Sequence, residues 1–128
     1  MVIENHEKNV ADEIGTDDVK LTSIGESTFM WCENLTSITI PNDVTSIGKC
    51  AFLGCMNLTS IMIPNGVTSI GLCAFFWCES LPSITIPGGV TSIGAAAFEA
   101  CDNIVISAPR DSYAIEYAKE NGIKYIET

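Results

Sequence analysis

Three consecutive segments of the chain, LTSITIPNDVTSIGKCAFLGCMN (35–57), LTSIMIPNGVTSIGLCAFFWCES (58–80) and LPSITIPGGVTSIGAAAFEACDN (81–103), align without a gap. A fixed period of this size constrains the fold more than composition does, because one short unit cannot bury its own apolar face and must stack on its neighbours. Residues 21–34 supply the second half of a preceding unit, so the 23-residue repeat runs through most of the 128 residues. The columns free of charge predict the core: Leu35/Leu58/Leu81/Ile104, Ile38/Ile61/Ile84, Ile40/Ile63/Ile86, Ile24/Ile47/Ile70/Ile93, Phe29/Phe52/Phe75/Phe98 and Cys32/Cys55/Cys78/Cys101.

Within a unit, L-x-x-I-x-I has strand alternation, with Ile38 and Ile40 inward and Thr39 outward. Pro41 stops that strand, and Asn42-Asp43, Asn65-Gly66 and Gly88-Gly89 supply turn residues that tolerate positive φ. V-T-S-I then gives a second extended piece, with Val44 and Ile47 inward. Gly48, Gly71 and Gly94 mark the next corner, and Ala51, Phe52 and Cys55 fall at i, i+1 and i+4, the spacing of one inward-facing helical turn.

The motif LxxIxIPxxVxxIGxxAFxxCxx, carried by residues 21–103, resembles that of the BspA-like leucine-rich-repeat family. The expected fold is an α/β-type repeat, a leucine-rich-repeat solenoid of stacked strand-turn-strand-short helix coils with a C-terminal helical cap. The resemblance implies a curved binding scaffold, often a segment of a cell-surface or secreted protein used in adhesion or protein binding, with no catalytic residues to carry over. Residues 1–20 lack the I-x-I-P strand and offer only Ile3, Val10, Ile14 and Val19 as apolar anchors, so they are read as a divergent N-terminal cap or a partly disordered segment. Residues 21–103 form the solenoid. Residues 104–128 are read as a C-terminal cap of strand (IVIS), helix and strand, with Asp111 or Ser112 capping the helix and Gly122 ending it.

The hydrophobic fraction of 47% against 17% charged residues excludes a disordered chain. The net charge of -10 repels phosphate backbones, which argues against nucleic acid and anionic lipid as partners. No segment approaches the ~20 continuous apolar residues of a membrane helix. The opening MVIENHEKNVADEIG has neither the basic nor the apolar region of a signal peptide, which leaves a cytoplasmic location open beside the surface location that the resemblance implies.

Six cysteines invite a disulfide or zinc reading. Four of them recur at the repeat period, and Cys50 and Cys73 share a second column with Ser27 and Ala96, which says that the site wants a small side chain. Buried packing thiols are therefore preferred, with a disulfide between adjacent coils left open because stacked strands lie ~4.8 Å apart. Zinc is disfavoured, since no C-x-x-C pair exists and His6 is the only histidine. His6 has no nucleophile motif beside it, Asp17-Asp18 reads as a solvated acidic run, and the repeated glycines are corners rather than a phosphate loop. No enzyme and no cofactor are expected. The column of Asn34, Asn57 and Asn103, with Ser80 between, suits amides that bond the backbone of the neighbouring turn.

Binding residues are sought where the repeat does not need the side chain that is present. In the turn after the core phenylalanine the outward pair reads Met30-Trp31, Leu53-Gly54, Phe76-Trp77 and Glu99-Ala100. A convex-side apolar stripe of Met30, Trp31, Leu53, Phe76 and Trp77 is the first candidate surface, for a partner chain or a second copy. The competing reading rotates the turn so that these groups cover the core edge, and burial of both tryptophans above ~80% would exclude an exposed patch. The second candidate is the strand face, where Thr36, Thr39, Thr59, Met62 and Thr85 project outward; it suits a protein or a glycan, although threonine ladders are also good strand chemistry. A protein-binding module is the favoured function, and a structural, self-associating unit with no foreign ligand is the alternative.

Overall fold

The computed structural model describes residues 2–3 and 20–128, and shows a β-solenoid of about five stacked turns. The reading of residues 1–20 as a divergent cap falls, apart from Val2, Ile3 and Lys20, outside the described residues, as do His6 and Asp17-Asp18. The second extended piece of each unit forms β1 (Val2–Ile3), β2 (Ser23–Ile24), β4 (Ser46–Ile47), β6 (Ser69–Ile70) and β8 (Ser92–Ile93). These build one parallel five-stranded sheet in the order β1-β2-β4-β6-β8. Its register keeps equivalent residues together, Ile24 against Ile47, Ile47 against Ile70 and Ile70 against Ile93. The I-x-I strands are β3 (Ser37–Thr39), β5 (Ser60–Met62), β7 (Ser83–Thr85) and the longer β9 (Val105–Ala108).

The core is the set of columns that the period singles out. The stacked Leu, Ile, Val, Phe and Cys side chains are buried throughout, save Ile61, which is half-buried. Phe29, Phe52, Phe75 and Phe98 form a continuous stack, with centroids 5.3, 5.2 and 5.4 Å apart and planes within 11° of parallel. Repetition holds adjacent rings one coil apart in near-identical rotamers, and the slight offset avoids the face-to-face repulsion of aromatic quadrupoles.

The third side of each coil is a run of hydrogen-bonded turns, where the sequence spacing suggested a helical turn. Every second N–H bonds within the coil at i→i−3, as in Ala51 to Gly48 (3.2 Å), Leu53 to Cys50 (3.2 Å) and Cys55 to Phe52 (3.1 Å). The alternate ones bond forward to the next coil: Cys50 to Leu72 (2.9 Å), Phe52 to Ala74 (2.7 Å) and Gly54 to Phe76 (2.7 Å). A helix would use all of these donors within itself and leave the coils unlinked on this side. The alternation needs left-handed residues, at Ser27, Cys50, Cys73 and Ala96 (φ 56–57°) and again at Trp31, Gly54, Trp77 and Ala100 (φ 61–77°). On the two strand sides the directions are mixed: Thr45 donates back to Thr22 (2.8 Å), Gly48 to Ile24 (2.8 Å) and Thr59 to Thr36 (2.8 Å), while Ile86 donates forward to Ser107 (2.8 Å).

The last coil carries α1 (Tyr113–Glu120) and β10 (Lys124–Glu127), the latter parallel to β9. Ser112 is the N-cap, its hydroxyl accepting from the Ile115 N–H at 3.4 Å. At the other end Ile123 N–H reaches Ala118 O at 2.9 Å and Gly122 N–H reaches Lys119 O at 3.4 Å, with Gly122 at φ 67°, which is a Schellman stop. The helix buries Ala114, Ile115, Tyr117 and Ala118 over the final coil. Tyr117 sets its ring edge-on to Phe98 at 6.3 Å and donates its hydroxyl to Gly94 O at 3.1 Å.

Candidate functional site

The turn side carries an aromatic ridge. Because Trp31, Gly54 and Trp77 occupy one column, the two indoles belong to coils separated by an intervening one. Gly54 has no side chain, so both rings close over it and meet at 5.6 Å between centroids, tilted by 48°. A Cβ at Gly54 would strike the ring of Trp31. Phe76 stands edge-on to Trp77 at 5.1 Å. Trp31 and Trp77 are 43% and 42% exposed and Met30 is 38% exposed, while Leu53 and Phe76 are half-buried. The five stripe residues occupy adjacent columns of the turn side, and both tryptophans fall well short of the ~80% burial that would have excluded an exposed patch. Bulky side chains rarely adopt φ > 0, yet Trp31 and Trp77 do so here because the forward N–H bonds of their column, 2.7 Å to Leu53 O and 3.0 Å to Glu99 O, fix the backbone.

The strand side differs from a uniform repeat at Pro82. The rung between the first two coils is Thr59 N–H to Thr36 O (2.8 Å), and that between the next pair is Val105 N–H to Pro82 O (3.1 Å). The intermediate rung would need an N–H at residue 82, which proline lacks. The I-x-I strands accordingly divide into a pair, β3-β5, and a triplet, β7-β9-β10. A groove of about 450 Å³ opens along the division. Ile61 and Pro64 face it from one coil, Thr85 and Pro87 from the next, and Met62 at its rim is 77% exposed. Thr36, Thr39, Thr59 and Thr85 are exposed as well, but the Thr59 hydroxyl already donates to Thr36 O at 3.1 Å. Thr45, Thr68 and Thr91 make a parallel ladder on the other sheet.

None of the six cysteines is disulfide-bonded. The Cys55, Cys78 and Cys101 thiols donate to the carbonyls of Phe29 (3.1 Å), Phe52 (3.2 Å) and Phe75 (3.0 Å) in the preceding coil, so the column packs and hydrogen-bonds at once. Burial, aided by the neighbouring Cys32, pushes the Cys55 thiol up to about 12. Burial likewise pushes Cys101 up to about 11, and raises Cys78 strongly with help from Cys101 and Cys55. Thiols held in this form are poor nucleophiles and poor metal ligands. Among the described residues no three His, Cys, Asp or Glu side chains cluster to hold a metal ion. In the asparagine column, Asn57 Nδ2 donates to Glu33 O at 2.7 Å, the cross-coil bond expected of it.

Sequence reasoning placed the ridge but missed the part played by Gly54, whose signal was a glycine between two tryptophans at the repeat period. It also missed the break at Pro82, although a proline in a column of Thr36, Thr59 and Val105 announces a missing rung.

Residues 16–118 match the family model described as BspA type leucine rich repeat region, in six copies. A leucine-rich repeat protein of Bacteroides capillosus is 32% identical with a TM-score of 0.62, the alignment covering 72% of this chain and 70% of that one. The T. pallidum leucine-rich repeat protein is 26% identical with a TM-score of 0.61, over 72% of this chain; the chain spans about half of its length, 54%. A Bacteroides ovatus leucine-rich repeat protein is 30% identical, TM-score 0.53, over 83% of this chain and 33% of that one. No curated protein matches the sequence. No helix among the described residues is long and apolar enough to cross a membrane. Leucine-rich repeat proteins are generally protein-interaction scaffolds rather than enzymes, and the BspA-like ones are often surface-associated. The repeat period, the stacked columns and these matches agree: the chain belongs to the BspA-type leucine-rich repeat family.

Proposed function

We propose that the chain is a recognition module of a cell-surface or secreted protein, which binds a partner protein through the aromatic ridge of Met30, Trp31, Leu53, Phe76 and Trp77. The supporting observation is the exposure of two tryptophans, in contact with each other, on a framework that buries Phe29, Phe52, Phe75 and Phe98. Tryptophan contributes large, rigid contact area at low entropic cost and is enriched at binding hot spots. Residues 21–103 act as the recognition solenoid, and residues 104–128 as its C-terminal cap. The strand-side groove, with Thr39, Met62 and Thr85 at its walls, is a secondary surface for an extended protein segment or a glycan; Thr36 and Thr59 continue that exposed face.

The test is selection of binders from a phage-displayed peptide library against the immobilised chain. Selected peptides are expected to lose at least tenfold in affinity for Trp31→Asn/Trp77→Asn, since asparagine tolerates the left-handed backbone, and to retain it for Met62→Thr. Equal binding to wild type and the double tryptophan variant would refute the ridge. Sedimentation over a range of concentrations addresses the structural alternative: a self-associating unit gains mass with concentration and loses this on Trp77→Ser, whereas a monomeric binder does neither.

A further inference from the structure

The charges around the ridge have one sign. Glu33 and Glu79 follow the two tryptophans at the same interval, and Glu99 lies beside Trp77, its carbonyl accepting from the Trp77 N–H at 3.0 Å. All three side chains are exposed, and so is Asp102, in the column of Glu33 and Glu79. No base occupies the columns of residues 30–33 in any coil; Lys49, the one base between residues 21 and 98, stands in the column of Glu26.

The face of an indole carries negative potential and attracts a cation placed over it, tryptophan more strongly than other rings. Neighbouring carboxylates add a field of the same sign, and an anionic segment is repelled by both. Between the two cationic side chains the geometry selects arginine. Its planar guanidinium stacks on an indole while its edge N–H groups reach a carboxylate, whereas a lysine ammonium is a strongly hydrated point charge that must choose between ring and acid. Trp31 and Trp77 meet at a 48° tilt and remain 43% and 42% exposed, which leaves ring surface that a guanidinium can reach.

We propose that Trp31 and Trp77, rimmed by Glu33, Glu79 and Glu99, form a receptor for an arginine-bearing segment of the partner protein. This rests on the ridge being the contact surface, and it names the chemistry that the ridge selects.

The chain's two tryptophans both lie in the ridge, so intrinsic fluorescence reports this site directly. The full chain is titrated with the blocked peptides Ac-GRGRGRG-NH2, Ac-GKGKGKG-NH2 and Ac-GEGEGEG-NH2. The arginine peptide is expected to change the emission saturably, the lysine peptide to bind several-fold more weakly and the glutamate peptide not at all. Neutralising the rim in Glu33→Gln/Glu79→Gln/Glu99→Gln is expected to weaken arginine-peptide binding about tenfold, roughly twofold per exposed charge. The single variants, each about twofold weaker, give the same answer should the triple variant fail to fold. No saturable change, equal affinity for the lysine peptide, or a triple variant that binds like wild type overturns the proposal. Library-selected peptides that need both tryptophans but contain no arginine also overturn it while leaving the contact surface intact; loss of the tryptophan requirement itself removes both.

Discussion

Raising the pH should unfold this solenoid earlier than its acidic composition suggests, and the cysteine ladder is the reason. In the unfolded chain the thiols of Cys55, Cys78 and Cys101 ionise near 9.0, whereas in the fold burial pushes Cys55 up to about 12 and Cys101 up to about 11, with Cys78 raised strongly in the same direction. Well below pH 9 both states hold the protons, and the stability of the packed ladder is fully present. Above it the unfolded chain releases protons that the folded chain keeps, so stability falls as pH rises, over a window from about 9 to the folded values. At pH 10 each such thiol favours the unfolded state by about 1.4 kcal/mol relative to neutral pH, and three together by about 4 kcal/mol. With about 2.1 cal/mol/K of unfolding entropy per residue over 128 residues, this lowers Tm by about 15 °C between pH 7.5 and pH 10. The assay is thermal unfolding by circular dichroism in the presence of a non-thiol reductant. Cys78→Ala removes one of the three contributions, so its Tm should fall by only about 10 °C over the same range. A wild-type Tm that moves by less than ~5 °C, or a Cys78→Ala slope equal to wild type, would refute the reasoning, since linkage requires the lost thiol to appear in the slope.

Further outcomes follow from the stacking geometry. Phe52→Ala empties a position between rings 5.3 and 5.2 Å away and should cost about 3–5 kcal/mol in urea unfolding; a loss below ~1 kcal/mol would mean that the stack repacks freely. Gly94→Ala drives a Cβ into the backbone of Leu72 and should cost about 1–3 kcal/mol, since no side chain is available to yield. Gly54→Ala meets the half-exposed Trp31 ring first, so it should cost about 1 kcal/mol for its positive φ while separating the indoles and altering the fluorescence. Pro82→Thr restores the missing rung, so the amide of residue 82 should become protected in hydrogen exchange. The net stability change should stay within about 1 kcal/mol, because the gained bond is offset by the entropy that proline removed from the unfolded chain. In native thiol titration Cys50 and Cys73, which are half-buried, should react first, and the four buried cysteines only on denaturation.

The core was legible because repetition multiplies evidence: one isoleucine proves little, but Ile24, Ile47, Ile70 and Ile93 in one column specify a buried strand position. The helical cap was legible for a local reason, Ser112 at one end and Gly122 at the other. The turn side was not. Inward groups at Ala51, Phe52 and Cys55 fit a helical turn and a run of alternating turns equally well, and what separates the two is where the N–H groups of Cys50, Phe52 and Gly54 go. The Ser27/Cys50/Cys73/Ala96 column was recognised as demanding small residues, but its left-handed backbone was not. The ridge was placed from the excess of large apolar groups over what the repeat needs. The Trp31–Trp77 contact and the Pro82 division escaped because each depends on the absence of an atom, a side chain in one case and an amide hydrogen in the other.

The opposed directions of the inter-coil hydrogen bonds have an electrostatic result. On the turn side the N–H groups of Cys50, Phe52 and Gly54 point toward the following coil, while on the strand sides those of Thr45, Gly48 and Thr59 point toward the preceding one. The forward peptide dipoles of the turn side are therefore partly opposed by the backward ones on the strand sides, where in an α-helix all add to about half a charge at each end. Each added coil brings peptide dipoles of both senses, so the axial field grows less with length than it does in an α-helix, where every peptide adds in the same sense.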